Sequence, residues 1–209
     1  MSTSAEHAID RHELNAKWKM WYDYQDKKYI AMENWSESLQ EIGTVPDVET
    51  FWGIQEEIGE IEKLPVSSNM HFFRDGIQPM WEDEKNSEGG KWVLEVGSEQ
   101  KTEAIWVNTL LFCISEIVLM KTLQKTERNE LVVNSATVDK SLQDAICGAV
   151  LSPRKNYIRI SLWTKIKDDR VLRIGKLWKE FAEIPDAVKI IFKAHESSSR
   201  GGGQDIYTI

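Results

Sequence analysis

The sequence has few of the residues that build disulfide frameworks, metal sites or catalytic triads. Its 209 residues include two cysteines and four histidines. Cys113 and Cys147 lie in apolar segments without metal-ligand spacing, and the histidines are scattered along the chain. We therefore expect reduced, buried thiols, no metal and no cofactor.

Long apolar runs are also missing. No stretch approaches the ~18 residues of a membrane-spanning helix, and the first residues lack the basic start and apolar core of a signal peptide. With 41% hydrophobic residues, we expect one globular domain over about residues 13–209, in the cytoplasm and without a membrane partner. Residues 1–12 and about 197–204 have the composition of flexible segments.

Positive charge is scarce, because 26 lysines and arginines stand against 34 aspartates and glutamates, for a net charge of −8. A protein that grips long nucleic acid through its phosphates needs an extended basic face. This composition argues against that mode of binding, and any contact with nucleic acid is expected to be local.

Tryptophan, by contrast, is abundant, and three of the nine tryptophans lie beside charges. Trp35 sits in a polar stretch, Trp81 precedes three acidic residues, and Trp163 comes four residues after Arg159. Aromatic plates beside a carboxylate and basic groups suit a cationic purine that carries phosphates. The pattern therefore predicts a nucleotide-binding site.

Hydrophobic periodicity predicts three amphipathic helices, one from Asp47, one over about residues 102–119 and one over about 169–181. Residues 91–96 and 157–163 are predicted strands, and a period of two places Arg159 and Trp163 on one face of the second. Short strands mixed irregularly with helices predict an α+β domain, in which helices back one antiparallel sheet.

A twelve-residue motif at positions 75–86, Asp-Gly-Ile-Gln-Pro-Met-Trp-Glu-Asp-Glu-Lys-Asn, is followed by Gly-Gly-Lys-Trp at positions 89–92. The chain carries further matching segments at residues 18–21, 48–52, 147–150 and 174–180. Over about residues 12–195 it resembles the eukaryotic translation initiation factor 4E family, which binds the 7-methylguanosine cap of messenger RNA. The resemblance implies a curved antiparallel sheet, shaped like a cupped hand, with three helices on its convex face.

The resemblance also implies the residues of a cap site that binds without catalysis. Trp35 and Trp81 would sandwich the methylated base, whose positive charge favours stacking on tryptophan. Glu82 would accept hydrogen bonds from the guanine, and Trp163 would lie near the N7 methyl group. Four basic residues would bind or support the phosphates: Arg154, Arg159, Lys91 and Lys155.

A partner surface on the helix side is implied as well, where a helix of a 4G-type scaffold initiation factor or of a 4E-binding repressor protein docks. Its residues would be His12, Leu14, Val48, Trp52, Val107 and Leu111. The chain departs from the family here, with Glu13 in place of a proline and Asn108 in place of a glutamate. Recruitment of messenger RNA for translation is the expected role, and a cap-binding repressor or specialised paralogue is the alternative.

Two further alternatives stay open. An enzyme would use Glu82 and a second carboxylate as an acid and base pair on a stacked sugar or nucleotide, although no second carboxylate is placed for it. The segment of about residues 119–143 is longer than the family's usual link. It is either an inserted loop or a contact with a partner or with the nucleotides after the cap.

Overall fold

One antiparallel sheet organises the molecule. A computed structural model of the chain describes residues 11–24, 38–97, 101–115, 123–125, 131–133, 140–195 and 205–209. The strands are β1 (Glu13–Tyr24), β2 (Gln40–Asp47), β3 (Ser68–Arg74), β4 (Gly90–Val96), β5 (Leu123–Lys125), β6 (Leu131–Val133), β7 (Ile146–Pro153), β8 (Ile158–Thr164), β9 (Ile191–Ala194) and β10 (Asp205–Thr208). Eight of them form the sheet, in the order β10-β9-β4-β8-β7-β3-β1-β2.

The helices are α1 (Val48–Ile58), α2 (Glu84–Ser87), α3 (Thr102–Ile114), α4 (Lys140–Asp144) and α5 (Arg170–Phe181), with a 3-10 turn at Ile61–Lys63. The three predicted helices are confirmed as α1, α3 and α5. The predicted end of the second, near residue 119, lies outside the described residues. With its eight-stranded antiparallel sheet and its helices, the chain has the predicted α+β fold.

Helix α1 begins where the sequence predicts a cap. The Thr50 backbone N–H donates to Asp47 Oδ1 at 2.7 Å, and Arg11 Nη1 donates to Asp47 Oδ2 at 2.8 Å. The bonds from Thr50, with the charge of Arg11, lower the pKa of Asp47 to about 2. Gly59, with φ of 66°, follows the last turn, in a region of backbone conformation that favours glycine.

The two faces of the sheet differ. One face packs against α1, α3 and α5 in the main hydrophobic core, where four tryptophans are fully buried: Trp18, Trp92, Trp106 and Trp178. The other face, which we call the open face, carries a smaller cluster to which no described helix contributes: Trp21, Phe73, Ile77, Cys147, Val150 and Trp163. Burial of these four tryptophans and of Trp21 gives all five a structural role in packing the two faces of the sheet.

Strand β8 confirms the predicted alternation. Ile160 and Leu162 are buried in the main core, whereas Arg159 and Trp163 lie on the open face. Because the period of a strand is two, the cation and the aromatic ring share that face.

The long segment of residues 119–143 contributes a separate two-stranded ribbon. Leu123 pairs with Val133, and Lys125 pairs with Leu131. The apolar triplet at 131–133 therefore forms a local hairpin strand. Among the described residues, no helix is both long enough and apolar enough to span a bilayer.

Candidate functional site

A row of side chains crosses the open face from β8 to β10. Trp163 on β8 pairs in register with Lys91 on β4, Lys91 pairs with Lys193 on β9, and Lys193 pairs with Asp205 on β10. Directly paired residues of antiparallel strands project from the same face. The row, which we call the cation row, therefore places two lysines side by side next to an indole ring.

The row continues in the other direction through a residue without a side chain. Gly148 on β7 lies between Trp163 and Phe73 on β3, and a Cβ atom at Gly148 would come within 2.5 Å of the Phe73 ring. The absence of that atom lets the rings of Phe73 and Trp163 meet edge to face, with centroids 5.4 Å apart. Glycine at this position therefore fixes where the Trp163 ring lies.

Trp163 is 7% exposed and is surrounded by chemically distinct neighbours. The His195 ring lies 4.2 Å from it between centroids, and Lys91 Nζ lies over the indole at 5.1 Å. Burial, together with the charge of Lys91, lowers the pKa of His195 to about 3, so this imidazole is neutral near pH 7. Within the described part of the chain, Trp163 Nε1 and His195 Nε2 are buried without a hydrogen-bond partner.

Lys91 is the most perturbed cation of the site. Burial lowers its pKa to about 8, and the positive charges of Arg159, Lys193 and Arg154 act in the same direction. No carboxylate of the described residues lies within ion-pair distance of its ammonium group. The protein therefore holds this charge at a position where an anion would stabilise it.

The two predicted phosphate-binding arginines lie near Lys91. Arg159 Nη2 donates to Glu95 Oε1 at 2.7 Å and to the Tyr157 hydroxyl at 3.1 Å. Arg154 Nη1 donates to the Pro153 carbonyl at 2.9 Å, and burial followed by the charge of Arg159 lowers the pKa of Arg154. Lys155, in the turn between β7 and β8, is exposed. The structure thus brings Arg154, Arg159 and Lys91 together.

A buried polar network lies beside these arginines. Asp23 on β1 is fully buried, accepts a hydrogen bond from Asn69 Nδ2 at 2.9 Å and lies 2.5 Å from His71 Nε2. Ser152 Oγ donates to Asn69 Oδ1 at 2.6 Å, and Ser152 pairs with Arg159 across β7 and β8. The network ties the three neighbouring strands β1, β3 and β7 together beside β8.

Trp81 and Glu82 project from the loop of residues 75–89, between β3 and β4. Trp81 is 43% exposed, and Glu82 is exposed, with no bonded side chain among the described residues. The loop itself is held from within. Asp83 accepts from the Gln78 and Lys85 backbone N–H groups at 2.9 and 2.8 Å.

Asn86 completes this internal support. Its side chain is fully buried, and Nδ2 donates to the carbonyls of Gln78 and Met80, each at 2.8 Å. Because Met80 immediately precedes Trp81, the carboxamide fixes the backbone from which the indole projects. An exposed aromatic ring and a free carboxylate on a supported loop suit the recognition of a flat polar ligand.

The loop is joined to the cation row at two points. Ile77 packs in the same cluster as Phe73 and Trp163, and the Gly89 carbonyl accepts from the His195 backbone N–H at 3.0 Å. A Cβ atom at Gly89 would lie 1.8 Å from the Thr164 carbonyl oxygen, so the close approach to β8 requires glycine. Trp81 and Glu82 are thereby attached to the cation row, whereas Trp35, the predicted second plate, lies outside the described residues.

The predicted partner residues lie on the helix side of the sheet. Trp52 is 46% exposed on α1, and the others named from α1, α3 and β1 are half-buried: Leu14, Val48, Val107 and Leu111. Asn108 is also half-buried there and is uncharged. The assignment of these residues to partner binding stays a prediction.

His12 differs from the other members of that group because it already has a partner. Its Nδ1 lies 2.7 Å from Glu49 Oε1, its backbone N–H donates to Glu49 Oε2 at 3.0 Å, and the Val48 N–H donates to its carbonyl at 3.0 Å. The bonds to His12 lower the pKa of Glu49. His12 therefore fastens the residue before β1 to α1.

Sequence reasoning did not assign His195, Lys193 or Asn86 to the site. No residue near His195 in the sequence could act as its partner, and its contact with Trp163 depends on strand pairing. The alternation of Lys193 with the buried Phe192 and Ala194 was a usable signal, since it places the lysine on the open face. Nothing in the motif indicates which carbonyls Asn86 contacts.

Comparison with known proteins identifies extensive similarity in sequence. The profile of the family described as eukaryotic initiation factor 4E matches residues 13–206. Eukaryotic translation initiation factor 4E of Candida albicans is 32% identical over 96% of this chain and 88% of its own length. Eukaryotic translation initiation factor isoform 4E of Arabidopsis thaliana is 36% identical over 90% of this chain and 85% of its own length.

Solved structures agree with these matches. Ascaris suum eIF4E-3 in complex with the m2,2,7G cap is 30% identical, with a TM-score of 0.77 over 96% of this chain and 99% of its own. C. elegans eIF4E-3 with the 4E-binding protein Mextli and a cap analog is 29% identical, with a TM-score of 0.77 over 96% and 100%. Schistosome eIF4E with m7GpppG and 4E-BP is 25% identical, with a TM-score of 0.74 over 95% and 99%.

Proposed function

Because the chain belongs to the eukaryotic initiation factor 4E family, we propose that it binds the 7-methylguanosine cap of messenger RNA and recruits that RNA for translation. It acts in the cytoplasm by binding alone, without turnover of the cap. The observation that carries the proposal is the attachment of an exposed Trp81 and Glu82 to a cluster of cations around Trp163.

The base is held by stacking. Methylation at N7 gives guanine a positive charge, so each tryptophan face attracts it by roughly 0.5–2 kcal/mol through cation–π interaction. Trp81 supplies one plate and Trp35 the other. Trp163 lies near the N7 methyl group. Unmethylated guanine lacks this charge and is bound more weakly.

Glu82 makes the site selective for guanine. Its carboxylate accepts hydrogen bonds from the guanine N1–H and the exocyclic amine, and each charge-assisted bond contributes on the order of 1.5–3 kcal/mol. Adenine presents the wrong donors and acceptors to this carboxylate. The support of the loop by Asp83 and Asn86 holds Glu82 in place before the ligand arrives.

The phosphates are bound by Arg154, Arg159 and Lys91, with Lys155 at longer range. The planar fork of arginine binds phosphate oxygens bidentately, whereas lysine acts as a point charge. The pKa of Lys91 is lowered to about 8 because its charged form is unfavourable in the free protein. A phosphate nearby stabilises that charged form. This region therefore favours a ligand with several negative charges.

Tryptophan-fluorescence titration with 7-methyl-GTP and with GTP tests the proposal. We expect the methylated nucleotide to bind far more tightly, and Trp81→Ala to weaken it by roughly tenfold or more through lost stacking. Trp52→Ala is the matched control, since Trp52 has similar exposure on the opposite side of the sheet. Equal affinities for the two nucleotides would contradict the proposal, as would conversion of the cap analogue to a product.

The helix side takes the partner. We propose that Trp52, with Leu14, Val48, Val107 and Leu111, receives a partner helix from a 4G-type scaffold factor or a 4E-binding protein, and that His12 supports this surface through Glu49. Loss of bound proteins from Trp52→Ala in a cap-resin pull-down is the expected result. The identity of the lost proteins distinguishes initiation from repression. Retention of every partner would remove Trp52 from this role.

A further inference from the structure

Lys193 occupies a different electrostatic position from its neighbour Lys91. Its ammonium lies 2.9 Å from Asp205 Oδ1, and the side chains are 32% and 57% exposed. An ion pair of that exposure is weak in water, since solvent screens both charges. Breaking the Lys193–Asp205 pair therefore costs little free energy, and Lys193 is available for a stronger contact with another anion.

The positive charges near Lys193 favour such an exchange. Lys91 and Lys193 are directly opposite each other on β4 and β9, and like charges in that arrangement repel. Arg154 and Arg159 add to the same positive field, as the lowered pKa of Lys91 indicates. Two carboxylates, Glu95 and Asp23, lie beside the arginines and are already bonded to Arg159 and to His71 respectively.

We propose that Lys193 is an additional phosphate-binding residue and that Asp205 holds its side chain until the ligand arrives. Binding replaces the Asp205 carboxylate by a phosphate oxygen, and the carboxylate returns to solvent. This inference rests on the proposed cap binding. The phosphate belongs either to the triphosphate bridge or to the phosphodiester that follows the first nucleotide.

Lys193→Gln tests whether Lys193 binds a phosphate. The matched control is Lys176→Gln, because Lys176 is an exposed lysine on α5, on the other side of the sheet. We expect Lys193→Gln to bind its phosphate ligand, 7-methyl-GTP or a capped oligonucleotide, about three- to tenfold more weakly. This loss is smaller than for a fully buried charge-assisted contact, because the Lys193 side chain is 32% exposed. Binding of 7-methylguanosine, which carries no phosphate, stays unchanged.

A capped RNA oligonucleotide separates the two sources of phosphate. A loss seen with 7-methyl-GTP assigns Lys193 to the triphosphate, and a loss seen with the oligonucleotide alone assigns it to the next phosphodiester. In either case the salt dependence of oligonucleotide binding falls by about 0.7 in slope for Lys193→Gln. Unchanged affinity for both phosphate ligands overturns the inference.

Asp205→Asn tests whether Asp205 competes with the phosphate for Lys193. Removing the competing carboxylate should tighten binding of the phosphate ligand by roughly two- to fivefold, because Lys193 no longer has to leave Asp205 to reach the phosphate. The gain should vanish when Lys193→Gln is also present. Weaker binding together with a lower melting temperature would mean that Asp205 serves only to fix β10, and would overturn its role.

Failure of this inference can be told apart from failure of the proposed function. A wild-type protein that does not prefer the 7-methylated nucleotide contradicts the proposed function itself. A wild-type protein that does prefer it contradicts only the role of Lys193 if Lys193→Gln and Lys176→Gln both bind 7-methyl-GTP and the capped oligonucleotide as tightly as the wild type.

Discussion

The loop of residues 75–89 and the cation row differ in whether their polar groups already have partners within the protein. In the loop, Asp83 and Asn86 satisfy backbone groups internally and leave Trp81 and Glu82 exposed. In the row, Lys91 lies opposite Lys193 and has no carboxylate partner among the described residues. Donors and acceptors within a loop can be paired before binding, whereas charges of one sign repel each other until an anion joins them.

Arg154→Ala should give the largest difference between the loss of nucleotide affinity and the loss of nucleoside affinity. The variant loses a guanidinium from the phosphate side, so affinity for 7-methyl-GTP should fall roughly 10- to 100-fold while affinity for 7-methylguanosine stays the same. Arg173→Ala, on the exposed face of α5, is the control for loss of one arginine. Similar losses for the nucleotide and the nucleoside would remove Arg154 from the phosphate role.

Asn86→Ala should disrupt the loop of residues 75–89. Without the carboxamide, the carbonyls of Gln78 and Met80 lose their donors, and the loop no longer holds Trp81 in one position. We expect nucleoside and nucleotide to bind about tenfold more weakly, in equal proportion, since an unsatisfied buried group costs about 1–3 kcal/mol. Ser87→Ala, which removes a longer bond to Glu84 in α2, is the control.

An effect of Asn86→Ala that is confined to the triphosphate would contradict this division of roles. The same titration should be accompanied by a melting curve, because loss of the two buried bonds also lowers the free energy of unfolding. A stable variant with unchanged nucleoside binding would show that the loop needs no support from Asn86.

Lys91 should give the smallest effect, and one that depends on pH. Its pKa in the free protein is lowered to about 8, and a bound phosphate favours the charged amine and raises that pKa. Binding therefore takes up a proton above pH 8, and affinity for 7-methyl-GTP should fall roughly threefold between pH 7 and pH 9 from this group. Lys91→Arg, which stays charged, should lack this part of the decline.

Comparison with Lys91→Arg is needed because the ligand can also titrate in this range. A fall in affinity that is identical in the wild type and in Lys91→Arg would assign the pH dependence to the ligand or to another group. The nucleoside provides a second check, since its binding should be independent of Lys91.

The fold and the outline of the candidate site were predictable because their signals are local. The alternation of residues 157–163 places Arg159 and Trp163 on one face, and the motif at 75–86 predicts a base-binding role for Trp81 and Glu82. Lys193 and His195 join the site through pairing between strands that are distant in sequence, which a local pattern does not report. The separate bond between His12 and Glu49 likewise depends on where the beginning of β1 lies relative to α1.

The unusual acidity of Lys91 has a consequence for covalent chemistry. At pH 7.5, roughly a quarter of amines with a pKa of 8 are uncharged, against about one in a thousand with the ordinary value of 10.5. Only the uncharged amine attacks an electrophile. In the free protein, a small acylating reagent would therefore form an amide at Lys91, with release of the reagent's leaving group and of the amine proton. A bound phosphate would protect Lys91 from this reaction, because it keeps the amine charged.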